Sequence, residues 1–328
     1  MKRRELISWA CGAAVMLPLA TRAEQPRPRS VIGLLSIASP APFAKLVAAL
    51  RLGMQTTGYV EGQNLDIEYR WAEGHFDRLA PLAADLVSRQ VAVIVATGGP
   101  APALAAKTAT STIPIVFNVG ADPVKLGLVA SFNRPGGNVT GVSFFVAELD
   151  AKRLGLLREL VPGVRRAAVL LNPKNPNAGP QLSDITKAAD TLGLEITVLH
   201  AATVDDLDTV LSTSPSADTG ALLVGADAFF NSRRDQIVGL VARLGLPAIY
   251  EVREFVAAGG LMSYGTSLVD AYHQVGVYTG RLLKGEKPNE LPVVQPTRFE
   301  LVINVKVAKE LGLTVPPLLL AQADDVLE

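Results

Sequence analysis

The chain of 328 residues has one cysteine, three histidines and only 5% aromatic residues, and each shortage closes off a class of function. Cys11 lies within the first 23 residues, a segment with the layout of an export signal. Once that segment is cleaved no thiol remains, which excludes a disulfide, a thiolate metal site and a cysteine nucleophile. His75, His200 and His273 stand far apart, without the short spacing of paired metal ligands. No nucleophile elbow is present, since Ser143 follows Gly141-Val142 but precedes two phenylalanines. The stretch Gly280 to Lys287 carries Glu286 where a phosphate loop needs lysine. Gly136 to Gly141 lacks the glycine spacing of a dinucleotide site. The expectation is therefore a protein that binds without turning over: no catalytic residue, no metal, no cofactor.

Charge of one sign is also missing. There are 31 basic and 31 acidic residues, and setting aside residues 1–23 removes four of the first and one of the second. The resulting excess of three acids argues against a nucleic-acid partner, which calls for a basic face. After the N-terminal segment no apolar run approaches the roughly 20 residues of a membrane span.

That N-terminal segment opens with Lys2, Arg3 and Arg4, continues with an apolar run from Leu6 to Ala20, and ends in Thr21-Arg22-Ala23. It reads as a signal peptide cleaved after about Ala23, delivering the mature chain to the periplasm. Arg3-Arg4 before Glu5-Leu6-Ile7 resembles a twin-arginine signal and leaves the export route open. About 300 remaining residues suit two domains of ordinary size.

Two series of alternating strands and helices follow, the pattern of open parallel sheets with right-handed crossovers. In the first, the apolar run Ser30–Ser36 reads as a strand buried on both faces, and Asn64–Trp71, Val91–Thr97 and Ile113–Asn118 read as the strands that follow. Helices are expected at Pro42–Thr57, Phe76–Arg89, Pro102–Thr108 and Asp122–Ser131. Asn133 to Phe145, with Gly136 and Gly137, breaks the rhythm. In the second series, strands at Ala167–Asn172, Glu195–His200, Ala221–Ala226, Pro247–Glu251 and Gly259–Gly265 alternate with helices ending at Leu160, Leu192, Leu211 and Leu244. A long helix, Leu268–Leu283, suggests that the chain returns to the first lobe. The expected organisation is α/β, with two Rossmann-like lobes joined by a hinge. Residues 30–144 with about 257–290 form one lobe, and 145–256 with about 291–328 form the other.

Ligands of open α/β sheets bind beyond the carboxyl ends of the strands. The polar residues there are Ser36 with Ser39, Thr97-Gly98-Gly99, and Asn118 with Gly120 and Asp122 in the first lobe. In the second they are Asn172 with Asn175, Asp227, and Tyr250-Glu251. Each taken singly can equally cap a helix or shape a turn; the set points to a cleft. Helix starts near Gly98-Gly99 and Ala178-Gly179 offer N–H groups to a ligand carboxylate. Tyr250, Tyr264, Phe229 and Phe230 offer apolar walls, or core packing.

The stretches Arg134-Pro-Gly-Gly-Asn-Val-Thr-Gly141, Ile115-Val-Phe-Asn118 before Asp122-Pro123, Ala258-Gly-Gly-Leu-Met-Ser-Tyr-Gly265 and Leu301–Pro317 carry a resemblance across nearly the full length. The chain resembles the substrate-binding proteins of ABC transporters, in the family that includes tryptophan- and phenylalanine-type receptors. The resemblance implies a type I periplasmic-binding-protein fold, monomeric, that closes on a small ligand and passes it to a permease in the inner membrane. It implies ligand contacts at Ser36, Thr97, Gly98, Asn118, Val119, Asp227 and Tyr250, with Asn138–Gly141 at the crossover between lobes. A sensor partner, or less readily an exported α/β enzyme, stays open, as does the ligand among amino acids, small peptides and other polar solutes.

Overall fold

The computed structural model describes residues 29–144, 149–213, 219–295 and 298–328; the expected signal peptide lies outside them. The first series forms a five-stranded parallel sheet. Its elements are β1 (Ser30–Ser36), α1 (Ala44–Thr56), β2 (Leu65–Trp71), α2 (Leu79–Ser88), β3 (Ile94–Thr97), α3 (Pro100–Ala109), β4 (Ile115–Val119) and β5 (Val139–Ser143). The strand order is β2-β1-β3-β4-β5. β1 lies inside the sheet with helices on both faces, which is why Ile32, Leu34 and Leu35 are all apolar and wholly buried. Each such side chain contributes roughly 1.5–3 kcal/mol by leaving water.

Two expectations for this lobe are corrected. Residues 122–131 form turns where a helix is expected: Asp122 caps the start through Val124 and Lys125, but Gly127 adopts φ +67° and ends the turn. The stretch 133–145, expected to break the pattern, contains β5, an edge strand rather than a crossover. Gly141 lets β5 lie against β4, because a Cβ there would overlap the backbone and ring of Phe117.

The second series builds a seven-stranded sheet. It runs through α4 (Asp150–Leu160), β6 (Arg166–Leu171), α5 (Ala178–Leu192), β7 (Glu195–His200), α6 (Val204–Thr213), β8 (Ala221–Val224), α7 (Ala228–Ser232), α8 (Arg234–Leu244), β9 (Ala248–Tyr250), α9 (Arg253–Ala257) and β10 (Met262–Gly265). After α10 (Leu268–Leu283) come β11 (Glu300–Asn304), α11 (Val305–Glu310), α12 (Pro317–Gln322) and β12 (Asp325–Leu327). The order is β12-β11-β10-β9-β8-β6-β7, parallel except where β10 meets β11.

The lobe boundaries differ from the expected ones at two places. β10, expected in the first lobe, pairs with β9 and β11 in the second sheet. Gly265 makes this fit possible, since a Cβ there would overlap the Glu251 carbonyl. Residues 291–295, expected in the second lobe, extend the first: Val294 exchanges backbone hydrogen bonds with Gly141 and Ser143 at 2.9 Å each, and Thr140 donates to the Leu291 carbonyl at 2.7 Å.

Between them α10 crosses back and locks onto α1. Gly53 on α1 and Gly276 on α10 face each other so closely that a Cβ on either would overlap the opposite backbone, and a Cβ on Gly280 would overlap the side chain of Thr57. Glycine at those positions trades helix propensity for close approach. The chain thus passes between lobes three times, and at the hinge Thr266 donates to the Phe144 carbonyl at 3.3 Å.

Candidate ligand-binding cleft

The carboxyl ends of β3, β4, β6, β8 and β9 converge on one cleft of roughly 520 Å³, counting space open at its mouth. The first lobe contributes Gly98, Gly99, Asn118, Gly120 and Ala121. The second contributes Asn175, Asn177, Asp227, Asn231 and Glu251. Phe43 of α1, Phe144 at the first crossover, and Leu268 and Tyr272 of α10 supply apolar surface.

Asp227 is held by its own lobe. Its Oδ1 caps α7, accepting from the Phe229 and Phe230 amides at 2.9 and 3.4 Å and from Asn172 Nδ2 at 3.2 Å. Oδ2 accepts from Asn175 Nδ2 at 2.8 Å. Burial pushes this carboxyl up, against the pull of those four donors. Glu251 Oε1 accepts from Asn231 Nδ2 at 2.7 Å. Burial pushes Glu251 up to about 8, opposed by the Arg153 charge and the Asn231 bond and reinforced by Asp227 and Asp150. Beneath them Arg153, wholly buried, donates to Asp150 Oδ1 at 2.6 Å and to the Tyr264 carbonyl at 2.7 Å. Gln181 completes the group by donating to Asp150 Oδ2 at 2.7 Å.

Three buried polar atoms at the cleft have no hydrogen-bond partner among the described residues: Asn118 Oδ1, Asn231 Oδ1 and Tyr272 Oη. They come from the first lobe, the second lobe and the hinge-side helix α10. An unmet buried polar group costs about 1–3 kcal/mol, which a ligand bridging all three would recover.

The structure brings some of the expected residues together and not others. Gly98, Asn118 and Asp227 line the cleft. Asn172 stands one layer back, holding Asp227. Ser36 is buried under Gly98 and accepts from the Ala38 amide at 3.2 Å. Thr97 is buried close to the Tyr272 hydroxyl without reaching hydrogen-bonding geometry. Val119 packs in the core of the first lobe. The two tyrosines do not line the cleft: Tyr250 stacks on Phe255 at 4.6 Å inside the core, and Tyr264 stacks on Phe299 at 6.3 Å. A β-strand points alternate side chains to opposite faces, which removes Tyr250 from the cleft and leaves Glu251, just past the strand, to line it. The expected anion sites at two helix starts are weakened by proline. Pro100 and Pro102 take first-turn positions of α3, Pro180 one of α5, and none has an N–H to offer.

Residues missed by sequence reasoning are Phe43, Phe144, Asn177, Asn231, Leu268 and Tyr272. Phe43 and Tyr272 are indistinguishable from core positions of their amphipathic stretches. Asn231 carried no signal at all. Among the described residues no cluster of three His, Cys, Asp or Glu is placed to hold a metal ion, and no helix is long and apolar enough to cross a membrane.

A family model for ABC transporter substrate binding proteins matches residues 32–327. A tyrosine-binding protein of Clostridioides difficile is 26% identical over 282 residues, covering 86% of this chain and 81% of its own. A Streptococcus pneumoniae protein solved in complex with L-Trp superposes with a TM-score of 0.79 at 25% identity, over 91% of this chain and 100% of the other. A conserved domain protein of Vibrio cholerae gives a TM-score of 0.82 at 26% identity, over 90% and 99%.

Proposed function

The chain belongs to the ABC transporter substrate-binding protein family, and from that premise we propose that it is the exported receptor of an importer. It closes two lobes of the type I periplasmic-binding fold around a small polar solute, an amino acid or similar, and delivers it to a permease in the inner membrane. Export through the N-terminal signal, a periplasmic location and a monomeric state belong to the same reading.

The observation that carries it is the cleft whose unmet polar atoms come from both lobes and from α10. A ligand satisfying Asn118 on one side and Asn231 on the other binds the closed arrangement better than the open one. Differential affinity of this kind is what shifts a population toward closure. Gly98, Asn118, Asp227, Asn231 and Glu251 are the contacts we assign. The permease then reads the relative placement of the two lobe surfaces, which changes only when the cleft is filled.

The test is a thermal-shift screen of the mature chain against a metabolite library, followed by small-angle scattering on any hit. A true ligand at a hundredfold excess over its dissociation constant stabilises the fold by about 2.7 kcal/mol and compacts the particle. Stabilisation without compaction would defeat the closure mechanism.

A further inference from the structure

The first turn of α4 buries a charged pair. Asp150, its first residue, and Arg153, one turn on, are both wholly inaccessible, and Nη1 of the guanidinium donates to Asp150 Oδ1 at 2.6 Å. α4 is the first element of the second lobe after the first crossover. Through Nε the same guanidinium donates to the Tyr264 carbonyl at 2.7 Å. Tyr264 stands at the end of β10, two residues before Thr266, whose hydroxyl donates to the Phe144 carbonyl at the hinge. One side chain thus holds the chain where it arrives in the second lobe and again where it leaves.

The packing around this group reaches the cleft. Gly265 lies against the Glu251 carbonyl and the guanidinium, and a Cβ there would stand 3.5 Å from Arg153 Nη2. The Arg153 charge also opposes the burial that raises the Glu251 carboxyl. Asp150 Oδ2 accepts from Gln181 at 2.7 Å, one turn along α5 from Asn177 in the cleft wall. A buried ion pair is a poor explanation for stability, since apolar residues of similar volume often serve as well. What a guanidinium offers is fixed planar geometry, bonding two acceptors along set directions that a flexible ammonium does not reproduce. Resting on the receptor reading above, we infer that Arg153 is the positioning residue of the hinge. It fixes how two of the three crossovers join the second lobe, and so how that lobe's cleft wall stands opposite Asn118.

Beyond the N-terminal segment the chain has no cysteine, so one spin label per lobe can be attached at Lys125→Cys and Lys187→Cys, both exposed. Interlobe distances are then measured by pulsed electron resonance on the ligand-free mature chain. Arg153→Lys keeps the charge and loses the fork; it should widen the distance distribution at least twofold. Leu157→Ala, buried one turn further along α4, controls for lost stability. It should melt at a lower temperature with a distribution as narrow as native. Asp150→Asn keeps the shape of the group and should widen the distribution less, which covers the case in which Arg153→Lys does not fold. A distribution of native width in the variants of this pair that fold overturns the inference, as does equal widening in Leu157→Ala. Repeating the measurement with an equimolar mixture of the twenty protein amino acids separates the two readings. A native chain whose distances do not shift on that addition counts against the receptor reading, while the ligand-free widths still decide the role of Arg153.

Discussion

Where the first lobe meets the cleft it presents Gly98, Gly99, Gly120 and Ala121 with one polar side chain, Asn118, whereas the second presents Asp227, Glu251 and three asparagines. The first lobe shapes the space with backbone and small residues and is fastened to α10 by glycine contacts. The second carries the buried charge and holds it in place with its own hydrogen bonds. Recognition and closure are thus separable: one wall supplies electrostatics, the other a fitted lid, and α10 links them. Substitutions in the two lobes should consequently fail in different ways.

The strongest break in that contrast is Arg153→Met. It leaves Asp150 and Glu251 buried without their cation and should cost about 3–5 kcal/mol of stability by urea denaturation. A loss below 1 kcal/mol would mean that the charges are not interdependent. Next is Gly276→Val at the α1–α10 contact, where overpacking costs roughly 1–3 kcal/mol. This variant should unfold more readily while any ligand affinity measured on the folded fraction stays close to native. Asp227→Ala removes the α7 cap at about 1–2 kcal/mol and should weaken ligand binding at least tenfold by calorimetry. Unchanged affinity would take Asp227 out of the site.

A gentler effect is the pH dependence of the ligand-free protein. The folded carboxyl of Glu251 stands at about 8, above an exposed glutamate near about 4.3, so the folded state holds the proton more tightly. Stability should therefore be greatest below pH 4–5 as far as this group is concerned, and fall as pH rises toward 8, opposite to a salt-bridged carboxylate. Asp150 and Asp227, also raised by burial, act in the same sense. Glu251→Gln should flatten the slope in denaturation curves recorded from pH 5 to 8. The smallest effect is expected from Tyr264→Phe, which keeps the stack on Phe299 and should change neither stability by more than about 0.5 kcal/mol nor affinity. A clear loss of binding would restore Tyr264 to the cleft.

Much of this arrangement was legible along the chain. The strands Glu195–His200 and Ser30–Ser36 and the helix Leu268–Leu283 fall where the sequence pattern puts them; for Ser30–Ser36 the reason is that burial on both faces of a parallel sheet writes itself locally as an apolar run. Short edge elements were harder. Val139–Ser143 looked like a break because its glycine serves the neighbouring Phe117 rather than a turn. Residues 122–131 looked helical because Asp122-Pro123 is a sound start, while the stop at Gly127 depends on a backbone angle. In the site, Asp227 and Asn118 were readable as polar residues at strand ends, and Tyr250 was misread by one position.

The sequence by itself determined two α/β units, the absence of a thiol beyond the N-terminal segment, and a family resemblance from residue 115 to 317, all local or compositional properties. Only the tertiary structure decided that β10 joins the second sheet, that residues 291–295 extend the first, and that Asn118, Asn231 and Tyr272 meet around one space. The reason is geometric. Periodicity reports which face of an element is covered, whereas a cleft is made by elements from distant parts of the chain. Their meeting depends on three crossovers and a glycine contact that no local pattern encodes.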